Sequence, residues 1–211
     1  MSRLSLYLMG PLRIELDGET VKLDSHKAIA LLIKLALSTQ SHPRDALINL
    51  LWPERDASRG HTNLRHTLYL LHKAFPANWL QADRETIRFD PSADFWLDVH
   101  QFHSYLDECQ THGHPAREVC PACVQPLTSA IDLYRGDFLS GFGLQDSLEF
   151  DDWQLIQTET LRREFAADGG QPRQHRLRRG GAAAQRATHL DGHLQQQGGF
   201  ADARVAADQH N

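Results

Sequence analysis

Apolar and polar residues alternate from the start of the chain. Leu4, Leu6 and Leu8 fall on one side of an extended segment, with Ser5, Tyr7 and Met9 on the other; Leu12, Ile14 and Leu16 then oppose Arg13, Glu15 and Asp17. A period of two marks half-buried strands. Gly10-Pro11 separates the two strands and Asp17-Gly18 ends the second, both being turn signals. Val21 and Leu23 predict a third short strand. The chain therefore opens with a small antiparallel sheet.

The period then lengthens. Asp24-Ser25 can cap a helix over about 26–38, rich in Ala, Leu and Ile and so largely buried. An early proline and an acidic first turn, Pro43-Arg44-Asp45, mark a short second helix over 43–51 that stops before Trp52-Pro53. A third helix spans 57–74. At 100° per residue, Ala57, Gly60, Leu64, Leu68, Leu71 and Phe75 form its apolar stripe. Arg59, Thr62, His66, Tyr69 and Lys73 lie opposite, with Ser58, Asn63 and Arg65 on the flanks.

That polar face holds no carboxylate; Glu54 and Asp56 both precede the helix. A solvated surface helix usually carries acidic partners for its cations at i,i+4 spacing. A face of donors, acceptors and one aromatic without acids suits a phosphate-lined groove. Trp79–Ala82 and Thr86–Phe89 then read as a hairpin with Arg84 at its tip. Sheet, three helices and hairpin are the order of a winged helix-turn-helix. In that fold the third helix enters the major groove of duplex DNA and the hairpin reaches the flanking backbone or minor groove.

Charge is divided along the chain. Of the 211 residues, 1–90 carry a net +2 and all four lysines, 91–168 a net −10, and 169–211 a net +3. A mildly basic head followed by an acidic middle points to a polyanion partner for the head. No apolar run approaches the roughly 20 residues that cross a bilayer. The alternating N-terminus lacks a signal-peptide core, so no membrane role and a cytoplasmic location are expected. The sequence has no GxxxxGK[ST] phosphate loop, GxSxG elbow or HExxH helix. Its 13 histidines are scattered, and no enzymatic activity is expected.

Several motifs, in order, resemble one family. Leu6 to Gly18, His26-Lys27-Ala28 with Ala30-Leu31-Leu32, Arg44-Asp45-Ala46-Leu47 with Leu51-Trp52-Pro53, and Asn63-Leu64-Arg65 with Leu68 are similar to the opening of SARP-type bacterial transcriptional activators. Asp94 to Val99 resembles the junction into their helical bacterial transcriptional activator domain, and Leu133 to Leu139 with the helix around Trp153 resembles that domain's early helices. The resemblance covers about residues 3–168. It implies an OmpR/PhoB-type winged helix (1–93), then a partial tetratricopeptide-like all-α segment (94–168). It also implies transcription activation on double-stranded promoter DNA, with homo-oligomers on repeated sites.

Carried onto this chain, the recognition helix is 57–74, with Arg59, Thr62, Asn63, Arg65, His66 and Tyr69 facing DNA and Arg84 on the wing. Lys73 adds a phosphate contact. Trp52 to Asp56 matches the loop that meets RNA polymerase in winged helices of this type. Two other readings stand beside this one: a winged helix that serves as a protein-docking module, and a nonfunctional truncated remnant without DNA binding.

Two segments stand apart. His112, His114, Cys120 and Cys123 place four candidate zinc ligands within twelve residues. Cys-x-x-Cys offers two thiolates at a spacing that suits a tetrahedral ion, two imidazoles can complete it, and Cys109 is a further candidate. A structural zinc, a redox Cys-x-x-Cys and unligated loop thiols are the alternatives; no cofactor is required by the DNA reading. Beyond Asp168, Ala, Gly, Gln, Arg and His make up 32 of 43 residues. Too few large apolar residues remain there to build a core, so 169–211 is expected to be disordered, as a reading-frame disruption or as a genuine tail. The helical segment before it is expected to expose apolar surface, because repeat stacks need neighbours.

Overall fold

The computed structural model describes residues 3–38, 40–75, 79–90, 92–114 and 119–166. The tail over 169–211 lies outside the described residues. The architecture is α+β: an N-terminal sheet, a winged helix-turn-helix, and helices after it.

Strands β1 (Leu4–Tyr7) and β2 (Arg13–Leu16) pair antiparallel, with Leu4 opposite Leu16 and Leu6 opposite Ile14. Asp17 and Gly18 both take positive φ, 53° and 86°, as a two-residue hairpin turn demands of its central pair. The chain therefore returns at once as β3 (Glu19–Thr20), earlier than the Val21 and Leu23 strand expected. Val21 N–H still reaches the Ile14 carbonyl at 2.9 Å before the chain departs for the next helix.

Helix α1 (His26–Ala36) starts at Ser25, whose hydroxyl accepts the Ala28 N–H at 3.2 Å. It is buried along nearly its whole length. Residues His42–Pro43 form β4, and α2 (Arg44–Leu51) begins one residue later than expected. Pro43 is held extended, at ψ 137°, by pairing with Thr86. Helix α3 (Ala57–Ala74) matches the predicted span and is capped by Asp56, which accepts the Arg59 N–H at 2.9 Å.

The hairpin β5 (Leu80–Ala82) and β6 (Thr86–Phe89) is joined by β4 on its free edge, giving the order β4-β6-β5. Next, β7 (Phe95–Leu97) returns to the first sheet and pairs parallel with β1, Leu6 opposite Leu97. Helix α4 (Asp98–Gln110) follows. A 3-10 turn (Pro121–Cys123) leads into α5 (Val124–Leu133), and α6 (Leu148–Glu164) closes the described chain.

One apolar core runs through both the winged helix and the segment after it. The link is made by β1. Asp98, fully buried at the start of α4, accepts the Leu8 and Met9 N–H groups at 2.7 and 2.9 Å. Burial pushes its carboxyl above the usual carboxylate range, while those backbone donors pull the other way. Met9, expected on the outer side with Tyr7, is fully buried. The reason is that β1 ends at Tyr7 and the chain beyond it is covered by residues 135–140, Met9 bridging to Phe138. Leu139 N–H bonds the Leu8 carbonyl at 2.8 Å, and Ser140 N–H the Gly10 carbonyl at 3.0 Å. Ser147 caps α6 and donates its hydroxyl to the Leu50 carbonyl of α2 at 2.6 Å. On α6, Leu148, Leu155 and Ile156 are 78%, 60% and 62% exposed, an apolar face open among the described residues. Among the described residues, no helix is long and apolar enough to cross a membrane.

Candidate functional site

Helix α3 packs one face inward and offers the other outward. Gly60, Leu64, Thr67, Leu68 and Leu71 are buried, and Phe75 follows them at the C-terminal end. Ala57, placed on this stripe by its angle, is exposed. It lies three residues before Gly60, which packs against Ile48 of α2. Thr67, although polar, sits on the stripe between Leu64 and Leu71.

Arg59, Thr62, Arg65, His66, Tyr69 and Lys73 are all exposed, and Asn63 is half-buried. Tyr69, at 61% exposure, is one of the few large apolar side chains left in solvent. Its ring stacks with His66, centroids 6.4 Å apart. Arg59 leans back on the capping Asp56, Nε to Oδ2 3.4 Å. The Thr62 hydroxyl donates to the Ser58 carbonyl at 3.1 Å, within the helix. Arg65 and Lys73 make no ion pair among the described residues.

The hairpin is braced from α2. Arg44 donates its N–H to the Glu85 carbonyl and its Nε to the Asp83 carbonyl, both at 2.9 Å. The Asp83 carboxylate turns into the hairpin, accepting from Glu85 N–H at 2.8 Å, Thr86 N–H at 2.6 Å and Thr86 Oγ1 at 3.0 Å. Those backbone donors, Thr86 foremost, hold it below the usual carboxylate range. Arg84 is left exposed at the turn. In the loop between α2 and α3, Trp52 is buried, and the exposed part is Glu54, Arg55 and Asp56.

The structure adds one more cation to this side of the molecule. Lys22 lines a surface hollow of about 430 Å³ together with Asp24 and with Lys73 and Leu70 of α3. Only the tertiary fold brings these two lysines together; nothing in their linear spacing marks it.

His112, His114, Cys120 and Cys123 converge between the end of α4 and the start of α5. Their ligand atoms all lie within 4.8 Å of one another. Cys109 is turned aside. Its sulfur contacts the Cys123 carbonyl at 3.9 Å, and burial pushes its thiol up to about 12.

No protein-family model matches the sequence, and no curated protein matches it. Among solved structures the chain is similar to Mycobacterium tuberculosis EmbR, determined in complex with a low-affinity phosphopeptide, with a TM-score of 0.65 and 21% identity over 93% of this chain. The two chains share a fold. The match spans 50% of the EmbR chain, so the chain accounts for about half the length of that neighbour. At this identity the likeness concerns the fold alone.

Proposed function

We propose that the protein is a sequence-specific DNA-binding transcriptional regulator that inserts α3 into the major groove and lays its hairpin along the adjacent backbone. One observation carries this reading. The outward face of α3 presents Arg59, Thr62, Arg65, His66, Tyr69 and Lys73 with no carboxylate between them. Arg65 and Asn63 are the base-reading candidates, because guanidinium and amide groups form bidentate pairs worth about 1–3 kcal/mol with base edges. Lys73, Lys22 and Arg84 supply phosphate contacts that position the helix without reading sequence.

One head with so few cations binds weakly, so two copies on adjacent half-sites are part of the proposal. The exposed Glu54–Asp56 turn is the surface offered to RNA polymerase for activation, as the family resemblance implies. A protein-docking reading also has an observation in its favour, the exposed Leu148, Leu155 and Ile156 of α6. It concerns a different surface and can coexist with DNA binding.

The test is selection of binding sites from random duplex DNA, followed by gel shift with the selected site. The double variant Arg65→Ala/His66→Ala is expected to abolish the shift while leaving the circular dichroism spectrum unchanged. Persistent binding by a folded double variant overturns the assignment of α3.

A further inference from the structure

The geometry points to a structural zinc site of the Cys2His2 type, formed by His112 Nδ1, His114 Nε2, Cys120 Sγ and Cys123 Sγ, that fastens the end of α4 to the start of α5. The site is independent of the DNA reading. Cys123 Sγ lies 3.0 Å from His112 Nδ1, 2.9 Å from His114 Nε2 and 3.4 Å from Cys120 Sγ. His112 Nδ1 is 3.4 Å from Cys120 Sγ. Four donor atoms therefore occupy the corners of one small polyhedron.

The two sulfurs are much too far apart for a disulfide, whose S–S bond is about 2.05 Å. They are close to the edge of a zinc tetrahedron, since Zn–S bonds of about 2.3 Å at tetrahedral angles set sulfurs about 3.8 Å apart. An outward shift of a few tenths of an ångström turns the cluster into a coordination shell.

The local backbone makes this arrangement. Cys120 and Cys123 sit at the two ends of a 3-10 turn in which Cys123 N–H bonds the Cys120 carbonyl at 3.0 Å, so both thiols project to one side. His112 is held at the end of α4 by its N–H on the Cys109 carbonyl at 3.4 Å. Cys123 is fully buried and Cys120 half-buried, so the ion is reached from one side only. The donor set selects the metal. Two sulfurs and two imidazoles, with no carboxylate in the cluster, suit zinc and exclude magnesium and calcium, which take oxygen. All four positions come from protein, leaving none open for water or substrate, so the role is structural.

The experiment is metal analysis of the full chain purified without chelators, with thiols counted in the same sample. One zinc per chain and three reduced thiols are expected. Titration of Co²⁺ into metal-stripped, reduced protein should give the absorption of a tetrahedral site with two thiolates. Cys120→Ser and His114→Ala should lose the metal, and Cys109→Ser should keep it, which guards against loss through misfolding alone. Zinc below about a tenth of an equivalent with no Co²⁺ spectrum overturns the site. So does undiminished zinc in Cys120→Ser, or a Cys120–Cys123 disulfide in protein kept under reducing conditions.

Discussion

Gly60 of α3 and Ile48 of α2 approach so closely that no side chain fits between them: a Cβ built on Gly60 overlaps Ile48 Cγ2. By propensity alone, Gly60→Ala in mid-helix should stabilise by about 1 kcal/mol. The close approach reverses that sign. Overpacking of this kind costs about 1–3 kcal/mol, and it would tilt α3 against α2. Gly60→Ala is therefore expected to lower the thermal midpoint, and to cost less in an Ile48→Ala background, although Ile48→Ala itself costs about 2–5 kcal/mol as a core truncation. A double-mutant cycle with no coupling would show that the two residues do not touch.

Salt separates the roles assigned to the cations. Removing a single phosphate-binding cation should reduce the slope of log affinity against log salt by about 0.9. Arg84→Ala and Lys73→Ala should each do so, weakening all duplexes alike. Arg65→Ala should instead relax the preference at particular base positions by about 1–3 kcal/mol. Affinity measured from low to high salt on selected and scrambled duplexes checks both. An unchanged slope for Arg84→Ala removes the hairpin from the interface.

Ser147 joins two elements through one oxygen, accepting Phe150 N–H at 3.1 Å and donating to the Leu50 carbonyl. Ser147→Ala removes a helix cap, about 1 kcal/mol, and strips the Leu50 carbonyl of a buried partner, about 1–3 kcal/mol. A loss of about 2–4 kcal/mol in chemical denaturation is expected. A loss below about 0.5 kcal/mol would mean that water replaces the hydroxyl.

His42 Nε2 is buried without a hydrogen-bond partner. Burial, and then the nearby Lys34 charge, pull its pKa below the ordinary histidine value of 6.5. The folded state thus prefers neutral His42, while the unfolded chain takes up a proton near that ordinary value. Stability should fall as the pH drops below the ordinary value toward the folded one, and level off beneath it. His42→Phe should flatten this slope in denaturant titrations across that range. His100, also shifted down by burial, contributes with the same sign, so a residual slope is expected. An unchanged slope would rule out His42.

The most legible parts of the fold are those governed by local chemistry. The Gly60–Leu64–Leu68–Leu71 stripe marks α3, and Asp17-Gly18 set the first turn. The His–Cys cluster is visible because its four members lie close in sequence. Long-range pairing is not. β7 joins β1 across some ninety positions, and β4 is a two-residue strand defined only by its partner β6. Nothing in the sequence marks the role of Asp98, because its partners, the Leu8 and Met9 amides, carry no side-chain signal. The hollow shared by Lys22 and Lys73 is hidden for a related reason: it exists only once the two segments are folded together.

The seam along β1 also has a mechanical meaning. Because Leu6 pairs with Leu97 and the Leu8 carbonyl accepts the Leu139 N–H, α4 leaves the winged helix at a set bearing rather than on a tether. Whatever α4–α6 recruit would then be carried at a constant angular phase around the duplex. Inserting half a helical turn, about 5 base pairs, between two operator half-sites would swing one copy to the far side of the DNA.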